Sequence, residues 1–214
     1  MQYAALFDLD GVIIDSESRY TVFWDGIEHI YPTGIPNFAM AIKGTNLTSI
    51  LSNYAEQSVR DDIVARLQEF ELNMDLPLYP GAVEFLDSLS EAGVARALVT
   101  SSADDKMEVL WRRHPSLRDR FEAVVTGSMV KKSKPDPEGY LTAAKLLGFD
   151  PSDCFVFEDS IQGLQAGRAS GATVIALSTT NPRSVVGRYS DLVLDGIGGF
   201  TVAEMIGLKE NISR

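Results

Sequence analysis

The chain has 214 residues, of which 45% are apolar and 23% are charged, as in an ordinary globular protein. Its 19 lysines and arginines against 30 aspartates and glutamates give a formal charge of −11, which argues against binding to nucleic acid or to an anionic membrane surface. A single cysteine excludes an internal disulfide, and with only two histidines it argues against a cysteine–histidine zinc site.

The first predicted element is a short buried strand over residues 3–7, which ends at Asp8. No basic and apolar leader precedes this strand, and no apolar run approaches the ~18 residues of a membrane span. We therefore expect a reduced, cytoplasmic and soluble protein.

The segment from Ser16 to Leu78 is predicted to be helical, with loops at residues 32–36 and 44–46 that glycine, proline and asparagine mark. Apolar side chains recur there at helical spacing in two series: Tyr20, Phe23, Trp24, Ile27 and Tyr31, and then Val59, Ile63, Leu67, Phe70 and Met74. No strand is evident in this segment.

After Gly81 helices and strands alternate along the chain. The predicted helices cover about 82–92, 104–114, 137–147 and 161–170, the strands after them 95–100, 123–126, 154–157 and 173–177, and a last strand and helix 192–194 and 202–208. Such alternation is typical of an α/β protein with a doubly wound parallel sheet. Because the helical segment interrupts the sheet after its first strand, we predict an α/β core over 1–15 and 79–214 with an inserted small α-helical domain over 16–78.

Polar side chains follow several of the predicted strands. Asp8 and Asp10 come after the first, Thr100 and Ser101 after the second, and Glu158 and Asp159 after the fourth, while Lys134 lies on the segment that leaves the third. Since ligands of parallel sheets bind beyond the carboxyl ends of the strands, these groups should meet at one edge. Clustered carboxylates without histidine favour Mg²⁺, and free N–H groups at the opening of the helix after Thr100 and Ser101 would suit a phosphate. The pattern therefore predicts phosphoryl transfer.

Four segments carry a family resemblance, in this order: Asp8-Leu9-Asp10-Gly11-Val12, Val99-Thr100-Ser101-Ser102, Lys134-Pro135-Asp136-Pro137 and Phe157-Glu158-Asp159-Ser160. They resemble the motifs of the haloacid dehalogenase-like hydrolases, in the branch of β-phosphoglucomutases and small sugar-phosphate phosphatases. The resemblance spans essentially the whole chain, and it implies a Rossmann-like core, with the helical segment standing where that family places its cap domain.

The resemblance also implies roles for individual residues. Asp8 would be the nucleophile that forms an aspartyl-phosphate, and Asp10 the general acid and then the general base. Leu9, Thr100, Ser101 and Lys134 would bind the transferring phosphoryl group together with these two aspartates, with Thr100 and Lys134 counted in the catalytic set. Mg²⁺ would be held by the side chains of Asp8 and Asp159, by the backbone carbonyl of Asp10, and by Glu158 through water.

Two positions in the cap segment distinguish the mutases of this branch from its phosphatases. The resemblance places Tyr20 where mutases carry a histidine and Leu47 where they carry an arginine that grips a second phosphate. Both departures favour hydrolysis, so we predict a phosphatase acting on a small phosphorylated metabolite, a sugar or polyol phosphate, and working as a monomer. The alternatives are a β-phosphoglucomutase-type isomerase and a non-catalytic phosphometabolite-binding protein.

Overall fold

The computed structural model describes residues 3–42, 47–102 and 104–212 of the chain, so the loop predicted at 44–46 lies outside the described residues. The chain forms two compact units, one made of residues 1–15 with 76–214 and the other of residues 16–75. We call them the sheet unit and the helical unit. No helix among the described residues is long and apolar enough to cross a membrane.

The sheet unit contains a parallel sheet of six strands. The strands are β1 (Ala4–Phe7), β2 (Ala95–Val99), β3 (Ala123–Val125), β4 (Cys154–Glu158), β5 (Thr173–Leu177) and β6 (Leu192–Leu194), in the spatial order β3-β2-β1-β4-β5-β6. Ala4 of β1 lies opposite Ala95 on one side and Cys154 on the other. The predicted doubly wound parallel sheet is confirmed, and β1 lies at its centre, where the strand order reverses and ligands of such folds bind.

Both units contain α-helices, which are numbered in chain order. The helical unit contains α1 (Glu17–Ile30), α2 (Phe38–Ala41), α3 (Leu47–Leu51) and α4 (Gln57–Asn73); the sheet unit contains α5 (Ala82–Glu91), α6 (Asp104–Arg113), α7 (Glu138–Leu147), α8 (Ile161–Ser170), α9 (Arg183–Val186) and α10 (Val202–Ile212). The sequence pattern does not predict α9, whose four residues are too few for a periodic pattern, and α10 extends four residues beyond the predicted helix.

The two faces of the sheet are covered separately, as the alternation of strand side chains requires. Leu6 belongs to a buried cluster with Tyr140 of α7, whereas Phe7 points to the other face. There the ring of Phe7 stacks on Phe157 at 4.6 Å and meets Phe85 of α5 edge-on at 6.2 Å. Helices on both faces leave the carboxyl ends of the strands as the open edge of the layer.

The helical unit has a core of its own. The two predicted apolar series fall on α1 and α4, and Trp24, Ile27, Ile63 and Leu67 pack together in one buried cluster. A cluster of this size explains how about 60 residues without a sheet bury an apolar face.

The two segments that connect the units are hydrogen-bonded to each other within the sheet unit. The N–H of Asp15 donates to the carbonyl of Pro77 at 2.8 Å, and the N–H of Tyr79 donates to the carbonyl of Ile13 at 2.9 Å. The sequence predicts the second boundary after Leu78. The structure draws it after Asp75, because residues 76–78 pair with the segment that follows β1.

Candidate functional site

The end of β1 turns sharply just after the first aspartate. The carbonyl of Leu9, a fully buried residue, accepts hydrogen bonds from the N–H groups of Ile13 and Ile14 at 2.9 and 3.0 Å. Gly11 has a φ of 78°, a conformation that side chains with a Cβ rarely adopt. The turn leaves Asp8 almost buried and Asp10 about a third exposed at the edge of the sheet.

Lys134 forms the centre of an ion-pair cluster. Its Nζ lies 2.5 Å from Oδ1 of Asp8 and 2.6 Å from Oε1 of Glu158, and it donates to the carbonyl of Val99 at 3.3 Å. Burial lowers the pKa of Lys134, but Asp8 and Glu158 outweigh that effect and hold the pKa well above its usual 10.5. Lys134 is therefore a fixed positive charge beside Asp8, and its contact with a phosphoryl group stays a prediction.

Glu158, the last residue of β4, is completely buried, and both of its carboxylate oxygens are engaged. Oε1 accepts from Tyr140 at 3.0 Å in addition to Lys134. Oε2 accepts from the N–H of Asp159, the N–H of Ser160 and the hydroxyl of Ser160, at 2.9–3.0 Å. Five protein donors therefore fix this carboxylate, which fits a group that meets a metal ion through water better than a direct ligand.

Asp8, Glu158 and Asp159 each offer a carboxylate oxygen within 4.8 Å of the other two, and all three residues are buried. Burial, followed by Glu158 and Asp8, raises the pKa of Asp159 well above 3.8. With Asp10 the edge carries four carboxylates, and in their ionised forms these exceed the ammonium groups of Lys134 and Lys106 by two negative charges. A divalent cation with oxygen ligands balances them, and the donor set therefore fits Mg²⁺.

Glycine at position 11 is needed for this cluster to exist. A Cβ on Gly11 would lie 1.9 Å from Oδ2 of Asp159, far inside van der Waals contact. A Cβ on Gly163 of α8 would likewise lie 1.6 Å from Oε1 of Glu158. At both positions the backbone lies so close to a carboxylate that only glycine leaves room for it.

The segment after β2 differs in part from the sequence prediction. The N–H of Thr100 is not free for a phosphate, because it donates to the carbonyl of Val125 at 2.9 Å and extends the pairing of β2 with β3. The buried hydroxyl of Thr100 instead accepts from the N–H of Ser102 at 3.0 Å, and a hydroxyl that accepts one hydrogen bond can also donate one. Ser101 is exposed at the same edge. A cavity of about 340 Å³ borders Thr100, Ser101 and Lys134.

Several contacts of the site were not predicted. Lys106 of α6 pairs with Oδ1 of Asp10 at 2.7 Å, and Ser102 donates to Oδ2 at 3.1 Å. After β5, Thr179 donates to the carbonyl of Gly11 at 2.6 Å, and Asn181 donates to the backbone carbonyl of Asp159 at 3.0 Å. Two features of the sequence could have indicated them. One is the polar run that follows β5, and the other is a lysine in the otherwise acidic first turn of α6.

The helical unit contains a cavity of about 190 Å³. Its lining includes Tyr20, Trp24 and Leu47, and Tyr20 donates to Oε1 of Glu71 at 2.9 Å. Glu17 and Glu71 line the cavity as well, and the described lining contains no lysine or arginine. A second phosphate would therefore find no cation within this cavity among the described residues.

Comparison with known proteins agrees with this arrangement. A model of the haloacid dehalogenase-like hydrolases matches residues 4–171. Hexitol phosphatase A of Escherichia coli (strain K12) is 32% identical over 205 residues, which cover 93% of this chain and 93% of that protein. A HAD family hydrolase from Deinococcus radiodurans R1, solved with bound phosphate and sodium, is 26% identical with a TM-score of 0.79, over 96% of this chain and 93% of that one. The β-phosphoglucomutase of Clostridium difficile shares the fold at a TM-score of 0.78 and 22% identity, over the full length of both chains.

Proposed function

The chain belongs to the haloacid dehalogenase-like hydrolases, and from this premise we propose that it is a Mg²⁺-dependent phosphatase that works through an aspartyl-phosphate on Asp8. The observation that carries the proposal is the buried set of Asp8, Glu158 and Asp159 around Lys134. A buried cluster of like charges is costly to the fold, and its position at the carboxyl ends of β1 and β4 is where such sheets bind ligands.

In the proposed first step, a carboxylate oxygen of Asp8 attacks phosphorus while the bond from phosphorus to the alcohol oxygen breaks. Asp10 gives its proton to the departing oxygen, and the alcohol leaves. Lys134 and the Thr100 hydroxyl bind the phosphoryl oxygens, and Ser101 and the backbone of Leu9 complete the proposed phosphate site. In the second step water attacks phosphorus and Asp10 takes its proton, while the bond from phosphorus to the Asp8 oxygen breaks, so that the Asp8 carboxylate and inorganic phosphate are released.

The proposed metal ligands are the side chains of Asp8 and Asp159 and the carbonyl of Asp10, with Glu158 acting through water. When bound, Mg²⁺ would neutralise the acidic cluster and withdraw charge from the phosphoryl oxygens. The five donors on Glu158 agree with its indirect role, because they leave its carboxylate little freedom to turn toward an ion.

We propose a small sugar or polyol phosphate as the substrate. The similarity to hexitol phosphatase A supports this class, and the cavity of the helical unit supports a phosphatase rather than a mutase. Tyr20 and Leu47 line that cavity, at the positions where mutases of the branch carry a histidine and a phosphate-gripping arginine. Action as a monomer in the cytoplasm stays a prediction from the sequence.

The experiment is release of inorganic phosphate from a panel of hexitol, pentitol, glycerol and sugar phosphates, with and without a chelator. Asp8→Asn should lower release by at least about a thousandfold on every substrate. Asp119→Asn is the matched control, because Asp119 is an exposed aspartate of the same unit. Turnover that survives in Asp8→Asn, or that survives complete removal of divalent metal, would contradict the proposal.

A second assay separates the isomerase from the phosphatase. β-Glucose 1-phosphate is supplied with a trace of the corresponding bisphosphate, and the products are identified. Free phosphate is expected; glucose 6-phosphate would show a mutase, and binding without turnover of any phosphate ester would show a sensor.

A further inference from the structure

Both oxygens of the Asp10 carboxylate have a partner in the sheet unit. Neither of these two contacts is among the roles that the family resemblance implies. Lys106 Nζ lies 2.7 Å from Oδ1, and the hydroxyl of Ser102 donates to Oδ2 at 3.1 Å. The side chain of Lys106 is only 18% exposed and that of Asp10 29%. This pair is therefore largely shielded from water, unlike an ordinary surface ion pair.

The position of Lys106 within α6 also indicates that its contact with Asp10 is specific. It lies in the first turn of α6, where a positive charge opposes the helix dipole. Its two acidic neighbours have other partners: Asp104 accepts from Thr126 and Ser128 at 2.7 Å each, and Asp105 Oδ1 accepts from the backbone N–H of Lys106 at 2.8 Å. The ammonium group reaches instead to Asp10, which is 96 positions away in the sequence.

We propose that Lys106 is a positioning residue for proton transfer: together with Ser102 it fixes the Asp10 carboxylate in one orientation at the edge of the sheet. This inference rests on the proposed function, in which Asp10 moves the proton. A side chain at the end of a sharp turn can rotate about its own bonds, and two fixed donors prevent that rotation. Proton transfer is sensitive to such placement, because a shift of about 1 Å costs a reaction about a hundredfold.

The test compares two leaving groups. An alkyl phosphate needs a proton on its departing oxygen, whereas p-nitrophenyl phosphate has a leaving group that departs without one. The kcat/KM of both reports the first half-reaction, the one in which Asp10 donates its proton. The alkyl substrate is sorbitol 6-phosphate or, if it is hydrolysed faster, the best alkyl phosphate of the panel.

For Lys106→Met we expect kcat/KM on the alkyl phosphate to fall about 10- to 100-fold, and kcat/KM on p-nitrophenyl phosphate to change less than about threefold. Lys106→Arg should restore most of the loss, because it returns a cation at the same place. Lys145→Met, an exposed lysine of α7, is the matched control and should change neither value. Thermal unfolding of each variant checks that it is folded, and Lys106→Gln replaces Lys106→Met if that variant is not.

An equal fall on both substrates would overturn the inference, since it would mean that Lys106 binds the phosphoryl group or only supports the fold. No fall on either would overturn it as well. Asp8→Asn and Asp10→Asn keep the two proposals apart. If Asp8→Asn is inactive and Asp10→Asn shows the leaving-group dependence while Lys106→Met does not, only the role of Lys106 fails; if Asp8→Asn is active, both fail.

Discussion

The buried carboxylate of Asp8 should make the free energy of unfolding of the metal-free protein fall as the pH rises. Burial raises the pKa of Asp8 from 3.8 to about 7, with Lys134 opposing the rise and Glu158 and Asp10 adding to it. Between these two values the folded protein holds a proton that the unfolded chain has already released. The unfolded state therefore binds fewer protons there, and stability decreases with pH.

The size of the effect follows from the two pKa values. The interval from 3.8 to about 7, at about 1.4 kcal/mol for each pH unit, corresponds to about 4 kcal/mol of lost stability. Below 3.8 the carboxyl group is protonated in both states and nothing is lost. Above about 7 it is ionised in both states and the loss is complete. Such a loss is a large part of the roughly 5–15 kcal/mol that is typical of a folded domain.

The assay is urea unfolding in a chelator at pH values from about 4 to 8, for the wild type and for Asp8→Asn. The variant cannot ionise at this position, so the difference between the two unfolding free energies removes the titrating groups that lie away from the site and reports Asp8 together with the carboxylates that its charge affects. From the acid to the alkaline end of that range, we expect the unfolding free energy of the variant to rise by about 4 kcal/mol relative to that of the wild type. Saturating MgCl₂ should reduce this difference in unfolding free energy at the alkaline end of the range, because an ion bound to the folded state stabilises the wild type.

A difference that stays constant across the whole pH range would refute the reasoning, because it would mean that Lys134 fully compensates the burial of Asp8. The same measurement on Asp119→Asn should give a constant difference, since that carboxylate is exposed in the folded protein. A gap that Mg²⁺ leaves unchanged would count against the acidic cluster as the metal site.

Two further substitutions test the spacing of the site and the core of the helical unit. Gly11→Ala should weaken Mg²⁺ binding, measured by titration calorimetry, because its Cβ would displace the Asp159 carboxylate. Gly148→Ala is its control, with a φ of 79° but nothing within 4 Å of the new Cβ, so equal affinities in both variants would contradict the steric argument. Tyr54→Phe should stabilise the helical unit by about 1 kcal/mol in urea unfolding, because the buried Tyr54 hydroxyl finds no hydrogen-bond partner within the part of the chain that the structure describes. Tyr31→Phe should instead destabilise that unit, since the Tyr31 hydroxyl donates to Asp62 at 2.8 Å, and a stabilising effect of both changes would sink this account.

The sheet and its acidic edge were predictable because the sequence signals are local. A strand that ends at Asp8 and another that ends before Asp159 can each be recognised from a few residues, and the parallel topology brings them together. The proximity of Lys134 to Asp8 followed from the same rule. Asp8 and Asp159 directly follow a strand, and Lys134 lies on the segment that leaves β3, so the direction of the strands places all three at the same edge.

The remaining contacts depend on how helices and loops are oriented, which periodicity does not determine. The contact between Lys106 and Asp10 joins residues 96 positions apart and depends on how α6 is oriented after β2. Thr100 was predicted to have a free N–H because its strand was expected to end there, yet the pairing with Val125 continues through it. Three of the five donors around Glu158 belong to the next two residues, but those from Lys134 and Tyr140 come from a distant part of the chain, and no pattern around Glu158 indicates them.

The distances along the chain between the parts of the site bear on how the protein folds. Lys134 and Asp8 are 126 positions apart, and Lys106 and Asp10 are 96 apart. The helical unit, in contrast, is one continuous segment of residues 16–75, and even the contact between Tyr20 and Glu71 near its two ends spans only 51 positions. Local contacts form faster than such distant ones, so the helical unit can order while the sheet around β1 is still open. Recovery of phosphatase activity during refolding would then report the last long-range contacts to form, later than the recovery of helix.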